Sequence, residues 1–310
     1  MTINVFESNL QPIRYYGLQA DEQLSAWERG EKAGYSTGFA MLDNYLRFEP
    51  ETYTILAGRP SQGKTTLAMQ WVRNVSMQLR GLKDNSVCAV FSAEMTGRQL
   101  VLRMASEMMG INSHKLRMGY GTKEEFASVR TGLGKVKELP IYIDEGAAPS
   151  TDVMLKRLEE LHEFYNVRMM MFDFVELGGD KGDTEELRVG SIHKSLKAIA
   201  KKLKIPVLGL CQVSREVEKT ANKIPQMAHL RYSGQAEQVA DKVATIMRPE
   251  YYFERGMTVT DIDGVTEENC EGLAILNVVK FREGPVGTVN LKYEKEFGRF
   301  SDLPTERVYL

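Results

Sequence analysis

The chain has 310 residues, of which 43% are hydrophobic and 26% are charged. These proportions are typical of a soluble globular protein and exclude collagen-like, coiled-coil and wholly disordered classes. The length fits one large α/β domain or two small ones. The 40 Lys and Arg residues nearly balance the 42 Asp and Glu residues, which argues against a protein coated with nucleic acid but leaves room for a local basic track.

The sequence gives no sign of export or of membrane insertion. No apolar run reaches the roughly 20 residues that a membrane span needs, and the N-terminus lacks the pattern of a secretory signal. We therefore expect a cytoplasmic protein without a membrane partner. The three cysteines, Cys88, Cys211 and Cys270, have no metal-ligand spacing and predict buried structural thiols.

Residues 1–35 differ from the rest of the chain. The first 20 show no clear period, and residues 21–29 predict a short polar helix that ends near Gly30 or Gly34. A short isolated helix is marginally stable in water, so this one packs on its own domain or docks elsewhere. We treat 1–35 as an N-terminal segment and 36–310 as the main domain.

From residue 36 onward, apolar strand-like runs alternate with helical patterns. The predicted strands cover residues 53–57, 87–91, 141–143, 168–172 and 205–210. The predicted helices cover about 64–79, a segment that ends near 109, 151–164 and 185–204. Runs that are apolar on both faces and separated by helices indicate a parallel sheet covered on both sides. The last third, 242–300, has strand-like runs at 274–279 and 287–293 without intervening helices, and predicts antiparallel strands at one sheet edge.

A phosphate-binding motif, G-x-x-x-x-G-K-T, follows the first predicted strand directly and opens a helix. Its glycines let backbone N–H groups surround a phosphate at the helix N-terminus. Lys64 would place its charge between the β- and γ-phosphates, and the Thr65 hydroxyl would bind Mg²⁺. We expect ATP and Mg²⁺ as cofactors, with the nucleotide held by Gly58, Arg59, Pro60, Ser61, Gln62, Gly63, Lys64, Thr65 and Thr66.

Three further polar side chains follow predicted strands, where the ends of α/β strands meet a ligand crevice. Asp173 fits the second carboxylate that a P-loop ATPase needs near Mg²⁺, or it caps a turn. Glu94 could orient the attacking water, or it could be a first-turn acid of the next helix. Gln212 could sense the γ-phosphate or merely cap a strand.

These residues, in this order, resemble the C-terminal motor domain of the DnaB-type replicative helicases, which has a RecA-like core. The resemblance covers about residues 36–300 and implies an α/β P-loop NTPase fold, with a mostly parallel sheet sandwiched by helices and antiparallel strands at the C-terminal edge. The phosphate loop alone indicates only a P-loop NTPase, whereas the combination is specific for the family. The segments that match are 58–66, 91–95, 171–174, 195–201 with 206–212, 230–234 and 280–285.

The resemblance implies roles that single residues do not reveal. Glu94 becomes the base that activates water, and Gln212 joins the catalytic set. Arg282 becomes an arginine finger that acts on the neighbouring subunit's ATP, with Lys280 beside it. Without the family, these two residues would read as one solvated face of an alternating strand. One departure is Phe174, because the family usually has Asp-Tyr where this chain has Asp-Phe.

A basic track supports contact with DNA. Between residues 181 and 231 there are 11 Lys and Arg residues against 5 Asp and Glu residues, a net +6 in a chain of net −2. The resemblance places Arg231, backbone N–H groups near Gly234 and also Lys181 at the phosphates of one strand. Tyr232 stands where the family usually has an acid, and either stacks on a base or braces the loop less tightly. A solvated helix face is the expected role of Lys194, Lys197, Lys201 and Lys202.

The resemblance also implies an assembly: a homo-hexameric ring that translocates 5′→3′ on single-stranded DNA and unwinds forked duplex. Residues 21–33 resemble the linker helix that docks on a neighbouring subunit. The helical N-terminal collar domain would be absent here, as in helicases of viruses and mobile elements, so primase, a loader or a separate collar protein are expected partners, in bacterial or virus-infected cytoplasm. A recombinase filament and a non-motor, nucleotide-gated assembly ATPase stay open as alternatives.

Overall fold

The computed structural model describes residues 10–82, 84–262 and 265–303. A nine-stranded sheet organises these residues, in the order β3-β2-β4-β5-β1-β6-β7-β8-β9. The strands are β1 (Tyr53–Gly58), β2 (Ser86–Ser92), β3 (Ile141–Asp144), β4 (Asn166–Asp173), β5 (Val207–Gln212), β6 (Lys242–Met247), β7 (Leu273–Phe281), β8 (Gly287–Glu294) and β9 (Arg299–Asp302). The helices are α1 (Ile13–Glu28), α2 (Lys64–Arg80), α3 (Gly97–Met108), α4 (Ser113–Arg117), α5 (Lys123–Lys137), α6 (Thr151–His162), α7 (Glu185–Leu203), α8 (Ser233–Val239) and α9 (Pro249–Phe253).

The sheet has a parallel part and an antiparallel part. Strands β3, β2, β4, β5, β1 and β6 pair in parallel, and β6 to β9 pair antiparallel. The predicted parallel sheet with antiparallel strands at its C-terminal edge is therefore confirmed. Strand β6 was not predicted, although all six of its residues are buried and it pairs directly with β1.

In the described chain, no helix lies between β7 and β8, which correspond to the two strand-like runs predicted in the last third. The sequence missed one short helix before them. Helix α9 lies between β6 and β7, and it begins with Pro249, whose fixed φ angle suits the first helical position. Its tyrosines, Tyr251 and Tyr252, pack into a small apolar cluster with Met247 and Ile275. The helix has only five residues, so its apolar pattern is too short to show a period.

Two large apolar cores cover the two faces of the sheet. Helix α2 packs its buried residues, Trp71 and Val75 among them, on one face together with α3 and α5. Helices α6 and α7 cover the other face through residues such as Leu158 and Leu196. Because the central strands are apolar on both sides, each needs a helical layer above and below it. The three cysteines are buried free thiols, as predicted.

Helix α1 is unlike every other long helix of the described chain, because none of its 16 residues is buried. It starts eight residues earlier than predicted, at Ile13, and exposes Ile13, Leu18, Leu24 and Trp27 to solvent. Its first half lacks a regular apolar period, which is why the pattern revealed only its second half. Among the residues that the structure describes, no helix has the length and hydropathy to span a membrane.

A buried histidine lies beneath the parallel sheet. His193 of α7 is 1% exposed, and its Nδ1 lies 2.7 Å from the Tyr53 hydroxyl of β1. Burial lowers the pKa of His193 from 6.5 to about 4, because the charged imidazolium would lose its hydration. The folded chain therefore holds this side chain neutral under ordinary conditions.

Acidification should destabilise the fold through this group. The unfolded chain protonates His193 below about pH 6.5 and the folded chain only below about pH 4, so stability is lost as the pH falls through this window. Between pH 7 and pH 5 the loss should be about 2 kcal/mol of unfolding free energy. Urea unfolding at pH 7 and at pH 5 measures this loss in the wild type and in H193Q, a variant that keeps a polar partner for Tyr53. Equal losses in the two proteins would contradict the assignment.

Candidate active site

The phosphate loop joins β1 to α2 at the carboxyl edge of the parallel strands. Ser61 and Gly63 have φ angles of +66° and +92°, and at Gly63 a Cβ atom would lie 2.7 Å from the Phe300 ring. Glycine is therefore required there by both backbone conformation and space. Helix α2 starts without a side-chain cap, so its first N–H groups are available to an anion. The loop fits a phosphate.

The backbone of the phosphate loop holds the Lys64 side chain in place. Its Nζ donates hydrogen bonds to the carbonyl oxygens of Gly58, at 2.9 Å, and Arg59, at 3.2 Å. Burial lowers the pKa of Lys64, and the nearby carboxylates of Asp173, Glu176 and Glu94 oppose that shift. A phosphate in the loop would replace the two carbonyl oxygens as partner of the ammonium group.

Thr65 and Asp173 are brought together from α2 and from the end of β4. The Thr65 hydroxyl donates to Asp173 Oδ2 at 2.8 Å. Burial raises the pKa of Asp173 to about 6, although the hydrogen bond from Thr65 opposes this. Both groups supply the hard oxygen atoms that Mg²⁺ prefers. No three His, Cys, Asp or Glu side chains cluster as a metal site within the described residues, so Mg²⁺ here would need phosphate and water oxygens as further ligands.

Glu94 lies on the turn between β2 and α3 and faces the same cleft, which has a volume of about 1990 Å³. Helix α3 begins only at Gly97, and Thr96 caps it in a reciprocal arrangement with Gln99. The first turn of α3 contains no acidic residue. The alternative role of Glu94 as a first-turn acid is therefore wrong, and its exposed carboxylate stays available to a water in the cleft.

Gln212, at the end of β5, connects the cleft to the segment that carries Arg231. Its backbone N–H donates to Glu176 Oε1 at 2.8 Å, and its carbonyl oxygen accepts the N–H of Arg231 at 3.3 Å. Glu176 was not found from the sequence, although it follows Asp173 by three residues at the same sheet edge. Burial raises the pKa of Glu176, and its Oε2 has no hydrogen-bond partner within the described residues.

Two predicted nucleotide-binding side chains brace the loop instead. Arg59 turns away from the cleft and pairs with Glu218, while the Gln62 amide is fully buried and accepts the N–H of Arg248 at 2.6 Å. These side chains therefore hold the loop in place from both sides. Six of the other predicted positions line the cleft: Pro60, Ser61, Gly63, Lys64, Thr65 and Thr66. Gly58 contributes the carbonyl oxygen that accepts a hydrogen bond from Lys64.

Lys280 and Arg282 lie near the amino ends of the parallel strands, whereas the phosphate loop lies at their carboxyl ends. Gly58 pairs with Ile246 of β6. Phe281 pairs with Lys242, which precedes Ile246 by four residues on β6. Four strand residues span about 13 Å. Lys280 donates to the carbonyl oxygen of Glu237 at the end of α8.

The Arg282 side chain is held by buried and helical groups of its own subunit. It donates to the carbonyl oxygen of Gln238 and forms an ion pair with Asp241 at 3.3 Å. Asp241 also binds Lys197 at 2.6 Å. The expectation that Lys197 belongs to a solvated helix face is therefore wrong: its side chain is only 16% exposed, because Asp241 reaches it from the residue before β6. Lys194 and Lys201 are exposed, and Lys202 pairs at the surface with Glu159.

The candidate DNA-contacting residues lie beside the cleft but outside it. Arg231 and Gly234 are exposed, and Tyr232 adopts a left-handed conformation with its half-buried ring packed on the apolar core. Lys181 is exposed in the loop between β4 and α7. The structure thus holds the backbone of Arg231 directly through the carbonyl oxygen of Gln212, while Lys181 lies on a separate loop.

A family model described as the DnaB-like helicase C terminal domain matches residues 34–302. The chain belongs to this family. It is 34% identical over 305 residues to the "Replicative DNA helicase DnaB" of Rickettsia prowazekii (strain Madrid E), covering 93% of this chain and 63% of that protein. It is 35% identical over 278 residues to the protein of the same name from Geobacillus stearothermophilus, covering 88% and 58%. The chain thus spans about 60% of the length of these relatives.

Two solved structures have the same fold as this DnaB-like domain. One, described as an ATPase domain, superposes with a TM-score of 0.81 at 24% identity, covering 96% of this chain and all of that one. "The Structure Of A DnaB-Like Replicative Helicase And Its Interactions With Primase" superposes with a TM-score of 0.78 at 26% identity, covering 96% of this chain and 68% of that one. The predicted family and its RecA-like fold are confirmed.

Replacement of Lys64 by alanine should abolish nucleotide turnover. Loss of one preorganised donor to developing charge costs about 10²–10³-fold in rate, and the other cation of the loop, Arg59, is held by Glu218. ATP hydrolysis and binding of a fluorescent nucleotide measure the effect. The control is K156A, since Lys156 is 78% exposed on α6 and forms a surface ion pair with Glu160. Wild-type turnover in K64A would refute the site.

Proposed function

We propose that this DnaB-like domain is the ATP-driven motor of a hexameric replicative DNA helicase that moves 5′→3′ on single-stranded DNA. One observation carries the proposal: the chain holds the phosphate loop at one edge of its sheet and Arg282 at the other. A complete site would then need a phosphate loop from one copy and an arginine from the next. Such head-to-tail contacts generate closed rings or open filaments.

The chemistry in each site would be divided among residues of this chain. ATP with Mg²⁺ would supply the bond between the β- and γ-phosphates, and its hydrolysis to ADP and phosphate would drive movement. Lys64 and the loop N–H groups would orient the phosphates, and Thr65 with Asp173 would hold the metal. Glu94 would orient water and take up its proton. Gln212, at the end of β5, would report the presence of the terminal phosphate to the segment that it holds.

The arginine of a second subunit would complete the site. Arg282, with Lys280 beside it, would neutralise charge on the γ-phosphoryl oxygens of the neighbour's ATP. In the single chain both side chains bind carbonyl oxygens at the end of α8. Arg282 is nevertheless about half exposed, so it is accessible to a neighbouring subunit.

We assign α1 as the linker of the ring. A helix that buries no residue of its own, and exposes Ile13, Leu24 and Trp27, gains little stability from its own chain. Docking on a neighbouring subunit would remove this apolar surface from water. Residues 1–35 would then be a linker segment, with the motor domain at 36–310; residues 1–9 and 304–310 lie outside the described residues.

Single-stranded and forked DNA would be the substrate. The exposed Arg231, backbone groups near Gly234 and the exposed Lys181 would contact successive phosphates in the channel of the ring. Tyr232 packs its half-buried ring on the apolar core, which disfavours the base-stacking alternative. One solved relative is described by its interactions with primase, so primase is a proposed partner, with a loader or a separate collar protein. The site of action would be the cytoplasm.

Unwinding of a forked duplex tests the proposed function. With ATP and Mg²⁺, the wild type should separate a fork that carries a 5′ single-stranded tail and not one that carries only a 3′ tail. E94Q should bind the fork but lose about 10²–10⁴-fold in hydrolysis and unwinding, since it keeps the shape of Glu94 and loses the base. Hydrolysis that single-stranded DNA does not stimulate would favour an assembly ATPase. Open filaments in electron micrographs would favour a recombinase.

Mixing of inactive variants tests the action of Arg282 on a second subunit. R282A should lose about 10³–10⁵-fold in turnover. K64A should also be inactive, yet the mixture should hydrolyse ATP faster than the sum of the two, because K64A donates its intact Arg282 to the R282A phosphate loop. The matched control is the double variant R282A/K64A, which has no arginine to donate. Absence of any gain on mixing would contradict action in trans.

A further inference from the structure

One ion pair joins the phosphate loop to the segment that follows β5. Arg59 Nε donates to Glu218 Oε1 at 2.8 Å, and Arg59 Nη1 donates to the carbonyl oxygen of Val213 at 3.2 Å. The two side chains are only 14% and 21% exposed. Exposed ion pairs contribute little because water and salt screen them, whereas a pair shielded to this degree is screened much less.

The Arg59 end of the pair contacts the catalytic lysine. The carbonyl oxygen of Arg59 is one of the two groups that accept a hydrogen bond from Lys64 Nζ. A bound γ-phosphate would draw Lys64 away from this oxygen, because a phosphate is a stronger partner for an ammonium group than a neutral carbonyl. The hydrogen bonding of the Arg59 backbone, like that of Gly58, would therefore change when the nucleotide changes.

The Glu218 end of the pair is connected to His229 and Leu230, the two residues that precede Arg231. Glu218 lies in a 3-10 turn, Arg215–Lys219, whose Val217 is fully buried, so the turn is attached to the core. Directly before this turn, Ser214 donates its N–H to the carbonyl oxygen of His229 at 2.7 Å. Val213 pairs with Leu230 as an isolated β-bridge. Displacement of the turn thus acts on the residues next to Arg231.

We propose that the Arg59–Glu218 ion pair couples the nucleotide in the phosphate loop to the binding of DNA by Arg231, with Glu218 as a positioning residue that touches neither ligand. The inference rests on the proposed function, since it needs ATP in the loop and DNA at Arg231. Coupling of this kind is reciprocal: if nucleotide changes the affinity for DNA, DNA changes the affinity for nucleotide by the same factor.

The variant E218Q tests the coupling, because it keeps the shape of the side chain and removes the charge that Arg59 binds. We expect basal ATP hydrolysis within about twofold of the wild type and stimulation by single-stranded DNA reduced about fivefold or more, in the range of ordinary allosteric coupling. The ratio of DNA affinities with a non-hydrolysable ATP analogue and with ADP, measured by anisotropy of a labelled oligonucleotide, should shrink by a similar factor. A general loss of folded protein would lower basal and stimulated rates alike and would contradict a positioning role.

The matched control is E216Q, since Glu216 lies in the same turn and pairs with Lys219 at an exposed surface. It should be stimulated like the wild type. The double variant R59Q/E218Q should be stimulated by DNA as much as R59Q alone, because R59Q has already removed the partner of Glu218. An E218Q protein that is stimulated as strongly as E216Q would overturn the coupling alone. A wild type that DNA does not stimulate would overturn the proposed function and this inference together.

Discussion

The candidate site depends on the order of four parallel strands. Strands β2, β4, β5 and β1 lie side by side in the sheet, and their carboxyl ends carry Glu94, Asp173, Gln212 and the phosphate loop in that sequence. Each strand is apolar along its length and leads into polar groups at its carboxyl end, so a slip along the strand would draw polar groups into the core or push apolar ones out of it. The two helical layers that bury these strands therefore also fix the distances among the four polar groups. The 2.8 Å contact between Thr65 and Asp173, which bridges across β5, is one result.

The sequence allowed this edge of the sheet to be predicted because its signals are local. A phosphate loop directly after an apolar run, and a carboxylate directly after another, need only a few adjacent residues each. Strand β6 carries no such signal: it begins with Lys242, which is buried through its ion pair with Glu49 and its contact with the Phe281 ring. A lysine that another part of the chain neutralises cannot be told from a solvated one by spacing.

The same limit explains the missed roles of side chains. Lys197 falls on the polar stripe of α7, yet Asp241 binds it from a distant part of the chain. The Arg59–Glu218 pair joins residues 159 positions apart. Glu94 shows the converse, because spacing left two roles open and the position of the Thr96 cap excluded one of them. Polar patterns along one element indicate which side chains need a partner but not whether that partner is water or protein.

Helix α8 gives the domain a mechanical property. It begins immediately after Tyr232, beside the exposed Arg231, and the carbonyl oxygens at its far end hold Lys280 and Arg282. A helix of seven residues is about 10 Å long and resists compression, since every turn is closed by hydrogen bonds. It therefore forms a short rigid connection between Arg231, the proposed DNA contact, and the two cations Lys280 and Arg282. In the proposed ring, a force that DNA exerts on Arg231 of one subunit would pass through this helix to Lys280 and Arg282, and from them to the phosphates bound by the next subunit.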